Sequence, residues 1–314
     1  MSKRTRILRA EQKEFGKLFD SVCERHNPWE VWAAFVTMAS ISISNTVDKD
    51  HAEAREQEYL RYAKRYNKPE MDCFCAMLAE LVKQLEANPY QDFLGDLYLA
   101  LGMNDHWKGQ FFTPYHICEF MAAVTSDKSM KEEIDQKGWI SVSDPACGAG
   151  ALLVAYAGEC RKQEVNYQNS VLFIAQDIDP IVAHMCYLQL SLLGCAGYVV
   201  IGDSLAKPTI SVDDRGLIPD PQQDVWYTPF YFREEWEMRR QWFMVSSLLH
   251  EAFSKDRNVT AFTGKADTPR SDVSVKQNEE QTAAAEKREE ENDGGQEALA
   301  AAWNATEYGQ LTFL

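Results

Sequence analysis

Asp144-Pro145-Ala146-Cys147-Gly148-Ala149-Gly150 follows the short apolar run from Trp139 to Val142 and opens a helical stretch from Ala151 to Cys160. A strand that ends in a glycine-rich turn and continues as a helix is a ligand-binding arrangement. Gly148 and Gly150 let the backbone turn tightly and approach a ligand, and the unpaired N–H groups at the helix start suit a carboxylate or another polar group. A dinucleotide fold competes for this pattern, but its fingerprint needs a third small residue at a spacing this chain offers only loosely.

Downstream of this turn, apolar runs from Val171 to Ala175 and from Tyr198 to Ile201 alternate with helical stretches. Alternation of this kind predicts a parallel sheet with helices on its faces, an α/β fold. The second strand ends in Gln176-Asp177-Ile178-Asp179-Pro180, which places an acid about one βαβ unit after the turn, where it can bind ribose hydroxyls. A fourth strand is expected from Val225 to Tyr227, a helix from Glu234 to about Phe253, and at most a brief strand near Val259 to Phe262.

Upstream, residues 1–105 read as a helical N-terminal domain. Asn27 caps one helix, with Pro28 behind it and Trp32, Phe35, Val36 and Ala39 on one face. Another helix starts at Pro69 and carries Met71, Phe74, Leu78, Leu81, Val82 and Leu85 at helical spacing. Residues 106–262 form the α/β domain. Residues 263–309 are rich in Lys, Asp, Glu, Gln, Ser and Ala, with too little apolar surface to offset ordering entropy, and read as a disordered acidic linker.

A net charge of −16 excludes a protein that coats nucleic acid through bulk electrostatics, so any DNA contact must be local. Candidate contacts are Lys3, Arg4, Arg6 and Arg9 at the start, and Arg239 with Arg240 later. The eight cysteines form no Cys-x-x-Cys pair. Cys73 and Cys75 have the wrong spacing for zinc, and a reduced, metal-free, cytoplasmic protein is expected. No apolar run is long enough for a membrane span, and no signal-peptide core follows the basic start.

Four motifs in order carry a resemblance to a known family. Gly109-Gln110-Phe111-Phe112-Thr113-Pro114, the Asp144 to Gly150 turn, the Gln176-Asp177 strand end and Gly202-Asp203-Ser204-Leu205 are similar to landmarks of adenine-N6 DNA methyltransferases, of the kind found as modification subunits of type I restriction systems. The resemblance implies a Rossmann-like methyltransferase sheet that binds S-adenosylmethionine. Phe112 and Thr113 belong to the segment that folds over the methionine portion. Asp144, Ala146, Gly148 and Gly150 form the turn, Asp177 can bind the ribose with Ile178 next to it, and Asp203, followed by Ser204, meets the adenine. DNA as substrate, a phage or bacterial restriction-modification setting and a separate specificity subunit are implied in the same way.

The resemblance fails at one point. The family's catalytic signature is Asn, Asp or Ser, then Pro-Pro, then Tyr or Phe, at the end of the fourth strand, where it positions a base swung out of the duplex. Its nearest match here is Thr228-Pro229-Phe230-Tyr231, which makes Thr228, Pro229 and Tyr231 the catalytic candidates, although a hydroxyl lacks the amide's geometry. Asn27-Pro28-Trp29 precedes the cofactor segment and is read as a helix cap. The sheet also looks truncated, because few residues remain after Tyr231 to build further strands. Finally, Gln310-Leu311-Thr312-Phe313-Leu314 is similar to the Gln-Leu-x-Leu-Phe peptide by which bacterial proteins dock on the DNA sliding clamp, with Gln310, Leu311, Phe313 and Leu314 as the contacts. A non-catalytic, cofactor-binding accessory protein recruited to DNA through the sliding clamp is therefore the alternative expectation.

Overall fold

The computed structural model describes residues 8–103, 112–126 and 129–260. The clamp-like residues 310–314, the linker at 263–309, the basic Lys3, Arg4 and Arg6, and Gly109 to Phe111 lie outside these.

Five helices come first: α1 (Lys13–Cys23), α2 (Pro28–Val47), α3 (Ala52–Ala63), α4 (Lys68–Ala87) and α5 (Phe93–Ala100). Their starts follow local chemistry. The Asn27 side chain accepts from Trp29 N, and Pro28 opens α2. The Asn67 side chain accepts from Glu70 N while Glu70 accepts from Asn67 N. This reciprocal cap begins α4 at Lys68, one residue before the Pro69 expected from the sequence.

The α/β part continues with α6 (Tyr115–Thr125), α7 (Ser129–Lys137), β1 (Ile140–Asp144), α8 (Ala151–Lys162), α9 (Tyr167–Ser170), β2 (Val171–Asp177), α10 (Pro180–Leu192), β3 (Ala196–Ile201), β4 (Asp224–Tyr227) and α11 (Glu234–Thr260). The sheet has the order β1-β2-β3-β4 among the described residues. β1, β2 and β3 are parallel, as their apolar runs predict.

β4 forms where expected, but antiparallel to β3, with Tyr198 opposite Tyr227 and Ile201 opposite Asp224. A parallel neighbour needs a crossover, usually helical. The segment between β3 and β4 contains no helix, so the chain returns beside the strand it has just left. The brief strand expected near Val259 is also corrected, because α11 runs on to Thr260.

Side-chain alternation explains how the sheet is covered. Val171, Phe173 and Ala175 of β2 join Val199 of β3 beneath Ala183, Cys186, Tyr187 and Leu190 of α10 and beneath α8. Leu172, Ile174, Tyr198 and Val200 face the other side, against Leu217, Tyr231 and Trp236. A strand buried on both faces reads as a continuous apolar run rather than an alternating one, which is the pattern of β2 and β3. α10 is apolar all round because its outer face is covered too. Ile181, Val182, Met185 and Leu188 share a core with Phe15, Trp32, Phe35, Leu81 and Leu97 of the first helices.

Candidate functional site

The turn after β1 is held by its own backbone and by β2. Asp144 Oδ1 accepts from Ala146 N at 3.1 Å, Cys147 N donates to Gln176 O at 3.0 Å, and Gly150 N donates to Cys147 O at 2.8 Å. Gly148 and Gly150 have φ of 54° and 90°, a region L-residues rarely enter. Gly150 has no room for a side chain, and at Gly148 one would press tightly on its neighbour. A Cβ on Gly150 would sit 2.8 Å from Cys186 Sγ, and one on Gly148 would sit 3.1 Å from the Phe112 ring. Phe112 also touches Tyr98 of α5, with ring centroids 5.5 Å apart. Phe112 is thus set directly against the glycine turn, while Thr113 beside it is exposed.

Asp177 at the end of β2 closes the same turn. Its Oδ2 accepts from Gly148 N at 2.8 Å and its Oδ1 from Asp179 N at 2.9 Å. An ionised carboxylate offers about four lone-pair sites, so acceptor capacity remains for a ligand hydroxyl. Asp179 is spent locally, accepting from Ile181 N as the cap of α10. Burial pushes both the Asp144 and Asp177 carboxyls up, and Asp177 adds repulsion at Asp144. Two crowded carboxylates with raised pKa gain from a ligand whose positive charge offsets theirs or whose hydroxyls donate hydrogen bonds to them. Next to Asp177, Ile178 is 67% exposed, an apolar surface at the mouth of the site.

The end of β3 completes this rim. Asp203 Oδ1 accepts from Leu205 N and Ala206 N, making a tight loop that includes Ser204. Gln176, fully buried, ties the loop to β2: its Nε2 donates to Lys207 O at 2.8 Å, and its Oε1 accepts from Thr209 N and Oγ1. The structure therefore brings Phe112, Thr113, Asp144, Ala146, Gly148, Gly150, Asp177, Ile178, Asp203 and Ser204 to the carboxyl end of the parallel strands and the segment entering α6. Ligands of open α/β sheets bind at this end.

Thr228, Pro229 and Tyr231 are not brought there. Because β4 is antiparallel, its end meets the start of β3, and Thr228 N donates to Gly197 O. Gly197 lies five residues before Gly202, so about 17 Å of strand separates the two ends. Thr228 is fully buried, with its hydroxyl donating to Cys195 O at 2.7 Å and accepting from Gly197 N at 3.0 Å. The Tyr231 hydroxyl donates to Leu217 O, and its ring stacks on Tyr227 under the Arg240 guanidinium. These groups hold the sheet and have no access to a ligand at the glycine turn.

Among the described basic candidates, Arg239 and Arg240 are spent on structure. Arg239 is buried and donates to Asn169 O and Gly138 O, while Arg240 donates to Tyr231 O. Arg9 pairs with Asp96 at 2.6 Å. No group of acids, histidines and cysteines that could hold a metal occurs among the described residues.

Sequence reasoning missed one connection. Gln189 of α10 donates from Nε2 to Asp92 Oδ1 at 3.0 Å and to Ala149 O at 2.7 Å, and accepts from Leu94 N. The turn is thereby fixed to the start of α5. Asp92 also caps α5 by accepting from Gly95 N, and burial pushes its carboxyl up to about 6. Only a polar pair in an apolar stretch hints at this, because the partners lie 97 residues apart.

Among known proteins, the family described as N-6 DNA Methylase matches residues 90–251. The type I restriction enzyme MjaIX methylase subunit of Methanocaldococcus jannaschii is 28% identical over 123 residues. That match covers 39% of this chain and 20% of the relative, so the chain spans about a fifth of the length of that protein. No solved structure matches. The family match takes in the glycine turn, all four strands and the Asp92–Gln189 tie, and with it the chain belongs to the N-6 DNA methylase family.

Proposed function

We propose that the chain binds S-adenosylmethionine on a Rossmann-like sheet and serves methylation of adenine N6 in DNA, in a restriction-modification setting of bacterial or phage type. The observation that supports this best is the meeting of Asp144 and Asp177 at a glycine turn that opens a helix. The cofactor supplies an electrophilic methyl group when bound. The α8 N-terminus faces its carboxylate, the turn through Ala146 and Gly148 lets the backbone pass close beside it, and Phe112 and Thr113 shield the methionine portion. Asp144 balances its positive charge, Asp177 accepts from the ribose hydroxyls, Ile178 packs on the adenine, and Asp203 with Ser204 binds the adenine edge.

In this reading residues 1–105 form a helical domain, 106–262 the cofactor domain and 263–309 a linker. DNA is the substrate, and a separate specificity subunit selects its sequence. Residues 310–314 are a candidate peptide for the bacterial sliding clamp.

The burial of Thr228 and Tyr231 at the opposite end of the sheet favours a second reading, a cofactor-binding accessory protein that transfers no methyl group itself. Two measurements test the pair. Calorimetric titration with S-adenosylmethionine should give binding that Asp144→Ala and Asp177→Ala weaken at least tenfold; absence of binding by folded wild type refutes both readings. Labelled methyl groups appearing in DNA with the purified chain alone support the enzyme. Binding without transfer, also in the presence of a specificity subunit, leaves the accessory protein.

A further inference from the structure

β1 is an unfinished edge. Among the described residues it pairs only with β2. Its exposure differs from that of its neighbours: Ser141 and Ser143 are exposed and Val142 half-buried, whereas six of the seven β2 residues are buried. An edge strand of a parallel sheet presents a row of N–H and C=O groups that can accept another strand. Along this edge runs a groove of about 460 Å³, walled by Met121 of α6, Met130 of α7, Leu152 and Tyr156 of α8, and Arg215 on the far side. α6 packs on α8 through Cys118 and Ala122, and Ile117, Phe120, Met121 and Val124 lie exposed on its outer side. Helix, groove and strand edge together leave a place for one extended segment.

We propose that residues 310–314 of this same chain dock there, adding a strand to β1. The match rests on three features. The segment is five residues long, as β1 is, about 17 Å in extended form. Leu311 and Phe313 alternate with Gln310 and Thr312. A strand beside β1 then sets Leu311 and Phe313 on the Val142, Leu152 and Met121 side, and Gln310 and Thr312, with the terminal Leu314, on the side of Ser141 and Ser143. The third feature is reach. α11 passes the beginning of β1, where Trp236 packs on Trp139 and Arg239 bonds Gly138 O, and it continues from there for about 30 Å. Forty-nine residues separate Thr260 from Gln310, and a coil of that length spans about 40 Å. Tethering at that range gives an effective concentration on the order of millimolar, enough for a short segment of modest intrinsic affinity.

Docking of residues 310–314 at β1 and their binding to a sliding clamp are mutually exclusive uses of the same side chains, so a clamp would have to pull the segment off β1.

Hydrogen exchange read by mass spectrometry on the β1 amides tests this. The full chain is compared with a variant lacking residues 306–314 and with Leu311→Asp/Phe313→Asp. The expected result is exchange at 140–144 at least tenfold faster in both variants, restored in the deletion variant by a synthetic peptide of residues 306–314 but not by its doubly substituted form. Identical β1 exchange in all three proteins overturns the proposal. Protection that appears only as protein concentration rises overturns it as well, because it assigns the strand to a second copy.

Discussion

Replacing Gly150 by alanine probes the turn on which the functional reading depends. Gly150 has φ 90° and ψ 15°, a left-handed conformation that costs an L-residue about 1–2 kcal/mol. The new Cβ meets Cys186 Sγ at 2.8 Å and Cys186 Cα at 3.4 Å. Cys186 of α10 is fully buried and its sulfur cannot swing into solvent, so overpacking adds about 1–3 kcal/mol. A combined loss of about 3 kcal/mol lowers the thermal midpoint by about 6–12 °C in a protein of this size. Gly150→Ala/Cys186→Ala separates the two contributions: it removes the collision and leaves the conformational cost. Thermal and urea unfolding of the two single variants and the double variant should therefore give a favourable coupling of at least about 1 kcal/mol between the sites. An unfolding midpoint for Gly150→Ala within experimental error of wild type would refute the reasoning, as would strict additivity in the cycle.

Thr228→Val keeps the shape but strands Cys195 O and Gly197 N, and should cost about 1–3 kcal/mol while leaving cofactor affinity unchanged; a selective loss of methyl transfer without loss of stability would return Thr228 to the catalytic candidates. Gln189→Leu breaks the tie between Asp92 and Ala149 O, and should lower both the unfolding midpoint and calorimetric cofactor affinity. Asp92 is pushed by burial to about 6 from an unfolded value near 3.9, so its protonated form is favoured by folding. Its contribution is fully present below about pH 4 and is lost as pH rises through about 6, about 3 kcal/mol in all. Asp92→Asn should flatten that slope between pH 4 and 6 in urea titrations, and an unchanged slope would show that the carboxyl titrates normally.

Local chemistry made much of this protein legible from its residues. Asn27 and Pro69 announce their helices because a cap or a first-turn proline acts within a few residues of itself. β1, β2 and β3 follow from short apolar runs, and the glycine turn from a conformation that only glycine adopts cheaply. The gathering of Asp144, Asp177 and Asp203 also follows, since consecutive parallel strands put their carboxyl ends on one side. What depends on distant pairing was not legible. The Val225 to Tyr227 run reads as a strand in either direction, and only the helix-free return from β3 makes it antiparallel. That single reversal carries Thr228 and Tyr231 to the far end of the sheet. Arg239 and Arg240 look like surface cations in the sequence, yet folding directs them to backbone carbonyls of the core. The Asp92–Gln189–Ala149 connection has no sequence period, because it exists only where α5, α10 and the turn meet. Residue chemistry fixed which groups could bind a ligand, and tertiary packing decided which of them are free to do so, because a polar group buried by folding must spend its hydrogen bonds on its neighbours.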